Sequence, residues 1–181
     1  MANNESYTFT LYADYCQFYL GDSLFEGDTA GEFWNDAALA RHLAVDPPGL
    51  IGVGTDYYGD VPVTVEVRNN APNDDTTGWD RIIEASLAVP SGFIAIDGCL
   101  SYMPGGDYHK ALERHPDAHI VRSPHLTVDP GTYRVRVYAG ATGTERFVDT
   151  PEGEREVTDE HYRIVLWPAP YTDPVVIHMA E

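Results

Sequence analysis

The chain has little cysteine and little positive charge: 2 cysteines, and 11 lysines and arginines together, in 181 residues, with Lys110 the single lysine. Cys16 and Cys99 are too few and too far apart for a disulfide framework or a zinc knuckle, so two buried free thiols are expected. Against these scarce basic residues stand 29 Asp and Glu, for a formal net charge of -18 at pH 7. A surface of that sign repels phosphate backbones and anionic lipid, which excludes direct nucleic-acid binding and favours cations or basic proteins as partners. A salt-adapted or GC-rich host would impose the same composition without reference to function. No run of about 20 apolar residues occurs, and the first six residues are polar and acidic rather than basic and then apolar. A cytoplasmic protein without membrane insertion is expected.

Catalytic signatures are missing too. There is no Gly-x-Ser-x-Gly elbow, phosphate-cradling glycine loop, His-Glu-x-x-His pair or Cys-x-x-Cys. Neighbouring acids such as Asp74 with Asp75, or Glu152, Glu154 and Glu156, could do acid and base work as in glycosidases, but such carboxylates ordinarily form a solvated face. The expectation is a protein that is not an enzyme, with no cofactor.

What is present is alternation of period two, the mark of half-buried strands. Tyr7, Phe9, Leu11, Ala13 and Tyr15 alternate with Thr8, Thr10, Tyr12 and Asp14. Val61, Val63, Val65 and Val67 form a second such row, and Tyr133, Val135 and Val137 a third, with Arg134 and Arg136 turned to solvent. Tyr7, Tyr15, Tyr133 and Tyr162 are thereby read as core. Further strands are expected at 82–89, 93–96, 120–128, 162–167 and 175–179, with Pro90-Ser91-Gly92 closing a hairpin. This is an all-β chain, a single-domain antiparallel β-sandwich over 1–181, with one or two short helices in its connections. Asn35 caps one helix over 36–45, stopped by Pro47-Pro48-Gly49, and 107–114 is a second. Residues 98–125 read as an insertion, and 168–181 as a C-terminal segment containing Pro168, Pro170 and Pro174.

Two metal readings arise. His109, His115, His119 and His125 cluster in the insertion, but Pro116 breaks the helical spacing that His115 and His119 would need. Asn73, Asp75 and Glu84 occupy the first, third and twelfth positions of a calcium-loop spacing with Gly78 at the sixth. There the first ligand is Asn, and neither flank reads as a helix. A polar hairpin loop is the better reading, and no metal is assigned.

Several segments resemble, in order, the competence protein J family. Tyr15-Cys16-Gln17-Phe18 is similar to its Tyr-His-Gln-Phe element, with Cys16 in place of histidine. Trp34, the helix after Asn35 and Gly49-Leu50-Ile51-Gly52-Val53 follow. The runs from Val89 to Ile96 and from Val128 to Val135 resemble two late strand pairs, and 162–166 the closing strand. The resemblance implies a nuclease inhibitor, an acidic binding protein that neutralises a basic partner, possibly a nuclease, by supplying carboxylates where phosphates would sit. The family offers no motif for its contacts. On charge alone, Asp74, Asp75 and Asp80 in one loop and Asp149, Glu152, Glu154 and Glu156 in another are the candidate binding residues. The alternative is a β-sandwich module that binds carbohydrate, peptide or calcium through its end loops.

Overall fold

A computed structural model describes residues 5–25, 31–46, 49–98 and 125–180. The period-two rows build two facing sheets. In spatial order, β1 (Glu5–Ala13), β5 (Gly59–Val67), β12 (His161–Pro168), β9 (Gly131–Gly140), β6 (Arg81–Val89) and β13 (Val175–Met179) form the first. The second is β3 (Leu43–Asp46), β4 (Leu50–Gly54), β2 (Gln17–Asp22), β7 (Phe93–Gly98) and β8 (His125–Thr127). β10 (Arg146–Thr150) and β11 (Gly153–Val157) pair only with each other. The paired strands run antiparallel except β12 and β5, which run parallel with Tyr162 beside Val63. Val61, Val63, Val65, Val135 and Val137 of the first sheet pack on Phe18, Leu20, Ile94 and Ile96 of the second, which makes this an all-β sandwich with its core between the sheets. Truncating one of the large residues there to Ala removes about 2–5 kcal/mol of packing.

Four sequence expectations change. Pro90-Ser91-Gly92 does not close a hairpin, because β7 finds its partners on β2 and β8 while β6 pairs with β9 and β13. It carries the chain between sheets instead, with Gly92 at φ +74°, a conformation that favours glycine. The first core row ends at Ala13 rather than Tyr15. Tyr15 and Cys16 take left-handed backbone conformations (φ 52° and 55°), and that corner sends the chain across to β2. Tyr15 therefore points outward, 67 % exposed. Gly98 closes the same corner, since a Cβ there would lie 2.0 Å from the Tyr12 carbonyl oxygen.

Asn35 caps its helix as expected, its side chain accepting from the Ala38 amide at 3.0 Å. The helix, α1, nevertheless spans only Asp36–Ala40. Leu43 and Ala44 are buried and pair with Val53 and Gly52, so tertiary pairing overrides local preference. The expected helix at 107–114, and nearly all of the 98–125 insertion with its histidines and Cys99, lie outside the described residues; His125 opens β8.

Arg134 and Arg136, expected in solvent, are both buried on the outer face of the first sheet. Glu84 sits between them, accepting from Arg134 Nε at 3.1 Å and Arg136 Nε at 2.6 Å. The C-terminal segment covers this pair: Arg134 also donates to the Thr172 and Asp173 carbonyls, at 2.9 and 3.1 Å. Arg136 donates to the Asn73 carbonyl and to Asp74, and its guanidinium lies 5.8 Å from the Trp167 ring centre.

Candidate functional site

The β10–β11 ribbon projects from the end of the sandwich where β1 and β9 finish and β5, β6 and β12 begin. Its register places Phe147 opposite Glu156 and Asp149 opposite Glu154. Because strand side chains alternate, these four share one face. Phe147 is 65 % exposed, and among the described residues no ion pair engages the three carboxylates. Like charges directly across a strand pair repel, so this face lacks the cation that would relieve it. Glu152 lies in the turn that joins the two strands.

The ribbon is fixed at its base. Arg146 holds Asp159 through two bonds of 2.7 and 2.9 Å, which keeps that carboxyl below its ordinary range. The Tyr57 hydroxyl donates to the Glu156 carbonyl at 3.1 Å. Beneath lies Glu160, fully buried, accepting from the Asp56 amide at 3.0 Å and from the Tyr162 hydroxyl. Arg81 Nη1 reaches both Asp56 oxygens, at 3.2 and 3.1 Å, while its Nη2 stands 4.0 Å from Glu160. Arg81 Nη2 and Glu160 Oε2 are buried without a hydrogen-bond partner among the described residues. Burial pushes the Glu160 carboxyl up, and burial with the adjacent Glu160 pushes the Tyr162 phenol well up.

Beside this foot a cleft of about 270 Å³ opens between Tyr15, Cys16, Gln17, Trp34, Leu39, His42, Gly54 and Thr55. A second cleft, about 350 Å³, is lined by His42, Asp80, Arg81 and Thr142 among others. Among the described residues, the non-glycine residues with left-handed φ are Tyr15, Cys16, His42 and Ala141, all at this end. Each such conformation costs roughly 1–3 kcal/mol, and strain of this kind gathers at functional surfaces. Tyr12 and Tyr58, half exposed, meet edge to face at 5.7 Å on the same rim.

Cys16 and His42 share the first cleft, yet they are poorly set for nucleophilic chemistry. Burial, then Glu160, Asp56 and Glu145, pushes the Cys16 thiol up, whereas a thiolate nucleophile needs it down. Burial, with Arg81 nearby, lowers the His42 imidazole's proton affinity, and Asp56 only partly offsets this. The His42 Nδ1 to Asp56 distance of 3.6 Å is too long for a hydrogen bond.

The residues chosen on charge separate into two groups. Asp149, Glu152, Glu154 and Glu156 lie together on the ribbon, which is a hairpin rather than the expected loop. Asp80 belongs to the same end but already accepts from the Thr142 amide at 2.8 Å. Asp74 lies down the outer face, 2.8 Å from Arg136, and Asp75 accepts from the Thr77 amide. The calcium-loop spacing does not converge on a site: Glu84 is held by two guanidiniums and the Asn73 carbonyl by Arg136. Sequence reasoning missed Phe147, the Tyr12 and Tyr58 pair and the buried Glu160. Only Phe147 left a trace, in its period-two spacing with Asp149 ahead of the Pro151-Glu152-Gly153 turn.

No family model and no curated protein matches this chain. Among solved structures it is similar to ComJ from Bacillus subtilis, described as the inhibitor of the DNA degrading activity of NucA. The TM-score is 0.57 at 14 % identity, over 93 % of this chain and 100 % of that one. It is also similar to the product described as crocagin biosynthetic gene J, with TM-score 0.54 and 20 % identity over 93 % of this chain and 100 % of that one. At these identities the likeness is one of architecture, and it agrees with the resemblance carried by the short segments from Tyr15 to Leu166 in their order: this chain has a ComJ-like fold.

Proposed function

We propose that this protein binds a basic protein partner, of the nuclease class, and neutralises it in the cytoplasm by occupying its phosphate-binding surface. The observation that carries this reading is the ribbon face, where Phe147 stands among Asp149, Glu154 and Glu156 and, among the described residues, no ion pair engages those carboxylates. An enzyme that grips DNA presents lysines and arginines to phosphates. Carboxylates fixed on a ribbon offer those cations an alternative, and an exposed aromatic among them supplies apolar area at the centre of the contact. The net charge of -18 steers a basic partner toward the surface from a distance. Binding alone accomplishes this function, and no catalytic group is needed for it. The description of ComJ as a nuclease inhibitor supports the choice of partner class. In keeping with a partner met in water, no helix among the described residues is long and apolar enough to cross a membrane.

The test is a plasmid-cleavage assay in an extract of the source cells, with the purified protein added at low and at high salt. Cleavage that falls at low salt and recovers at high salt is the expected result, because exposed charge pairs are screened. Cleavage unchanged by excess protein at low salt overturns the reading.

A further inference from the structure

We propose that β13 pairs with β13 of a second copy of this chain, joining two first sheets edge to edge in a symmetric dimer. The strand lies at the edge of its sheet, with β6 on one side and no strand on the other among the described residues. None of its five residues is buried. Val175, Val176, Ile177 and Met179 are each between 39 % and 45 % exposed, gathered on this one strand. Ile177 also stands outside the pairing with β6, at a bulge between Val176 and His178. The free side of an apolar edge strand is a template for another strand.

Charge and register select a second copy as the occupant. Among the edge strands of the two sheets, β1 contains Glu5, β3 contains Asp46 and β8 has only three residues. β13 has five and carries no carboxylate, lysine or arginine. A basic partner gains nothing there in charge, whereas two chains of net charge -18 can touch with no like charges opposed across the strands. Antiparallel pairing centred on Ile177 sets that residue opposite Ile177 of the second copy, Val175 opposite Met179 and Val176 opposite His178. The strand is thus self-complementary, as a two-fold interface requires. The bulge, and Pro174 just before the strand, limit pairing to this run. The apolar patch is on the order of a few hundred Å², below the roughly 800 Å² that each partner gives to a stable complex, so the dimer is weak and reversible. Two sheets joined in this antiparallel way point their ribbon ends in opposite directions, and both ribbons stay open.

Sedimentation of the full chain over a range of concentrations, at low and at high salt, tests this. The mean mass should rise with concentration toward twice the monomer value, and further at high salt, because screening relieves the repulsion between two acidic copies. Capture of a basic nuclease has the opposite salt dependence, so the two readings fail separately. Ile177→Lys, at an exposed position, should hold the chain monomeric with its melting temperature unchanged. Ile177→Cys should form a disulfide-linked dimer under mild oxidation that the parent chain, with Cys16 and Cys99, does not form. Opposite residues of antiparallel strands stand about 4.5–5.5 Å apart, within the span of a disulfide. A parent chain that stays monomeric at every concentration and salt, a dimer that survives Ile177→Lys, or an Ile177→Cys chain that does not cross-link overturns the proposal.

Discussion

Glu84 sits between two guanidiniums on the outer face of the first sheet, whereas Asp149 and Glu154 face each other across the ribbon. Both regions are rich in charge, and they differ in what answers it. On the outer face Arg134 and Arg136 are buried under the 168–174 segment and the loop at Asn73, with each guanidinium bound to side chains and carbonyls of the same chain. Such a network is part of the fold, and its removal is felt as stability. At the ribbon end Asp149, Glu154 and Glu156 meet no cation among the described residues, the aromatics are exposed and the backbone is strained. On the proposed reading, that charge contributes little to folding and is available to a partner.

The largest effect should come from breaking the paired region. Glu84→Ala leaves two buried guanidiniums without their carboxylate and should lower unfolding free energy by roughly 3–5 kcal/mol, read from denaturant midpoints. A midpoint shift no larger than that of a surface mutation would remove the distinction between the regions. The mirror experiment combines Phe147→Ala, Glu154→Gln and Glu156→Gln. Each substitution should change stability by no more than about 0.5 kcal/mol, while capture of a basic partner weakens by at least about tenfold, the scale of a small hot spot. If the triple variant unfolds easily, the ribbon is structural after all.

Asp74→Asn with Asp75→Asn sharpens the boundary, because these residues are acidic like those of the ribbon yet lie toward the paired region. Asp74 meets Arg136 with its own side chain 82 % exposed, so stability should fall by under about 1 kcal/mol. Association with a basic partner should slow less than in the ribbon variant; equal slowing would extend the binding surface down the outer face.

The smallest effect is one of pH. Burial holds the Glu160 carboxyl above its unfolded value, near 4.3. The folded chain thus binds that proton more tightly than the unfolded chain, and the resulting stability is fully present below the unfolded value and lost as pH rises through the folded one. Glu160→Gln removes this dependence. Its stability relative to the parent should become more favourable on going from about pH 4 to about pH 7, and a constant or reversed difference would contradict the assignment.

The sandwich was legible because alternation reports burial directly, as in Val61, Val63 and Val65. It failed where a residue's role depends on a distant part of the chain. Arg134 and Arg136 occupy outward positions and read as solvated, but the tail that covers them lies about forty residues on. Tyr15 follows the period of its strand and leaves it through a left-handed corner that no local signal announces. Leu43 and Ala44 have helix-compatible side chains and become strand because β4 is there to pair with. At the site, charge composition located the ribbon acids, while Glu160 and Arg81 are brought together only by the fold.

Whether the ribbon end captures a basic nuclease is read by comparing two columns loaded with the same low-salt cell extract. One carries the parent protein, the other the Phe147→Ala, Glu154→Gln, Glu156→Gln variant. The parent column should strip DNA-cleaving activity from the flow-through and return it in high salt, and the variant column should let most of it pass. Activity that passes both columns undiminished, or is retained equally by both, would contradict capture by the ribbon end.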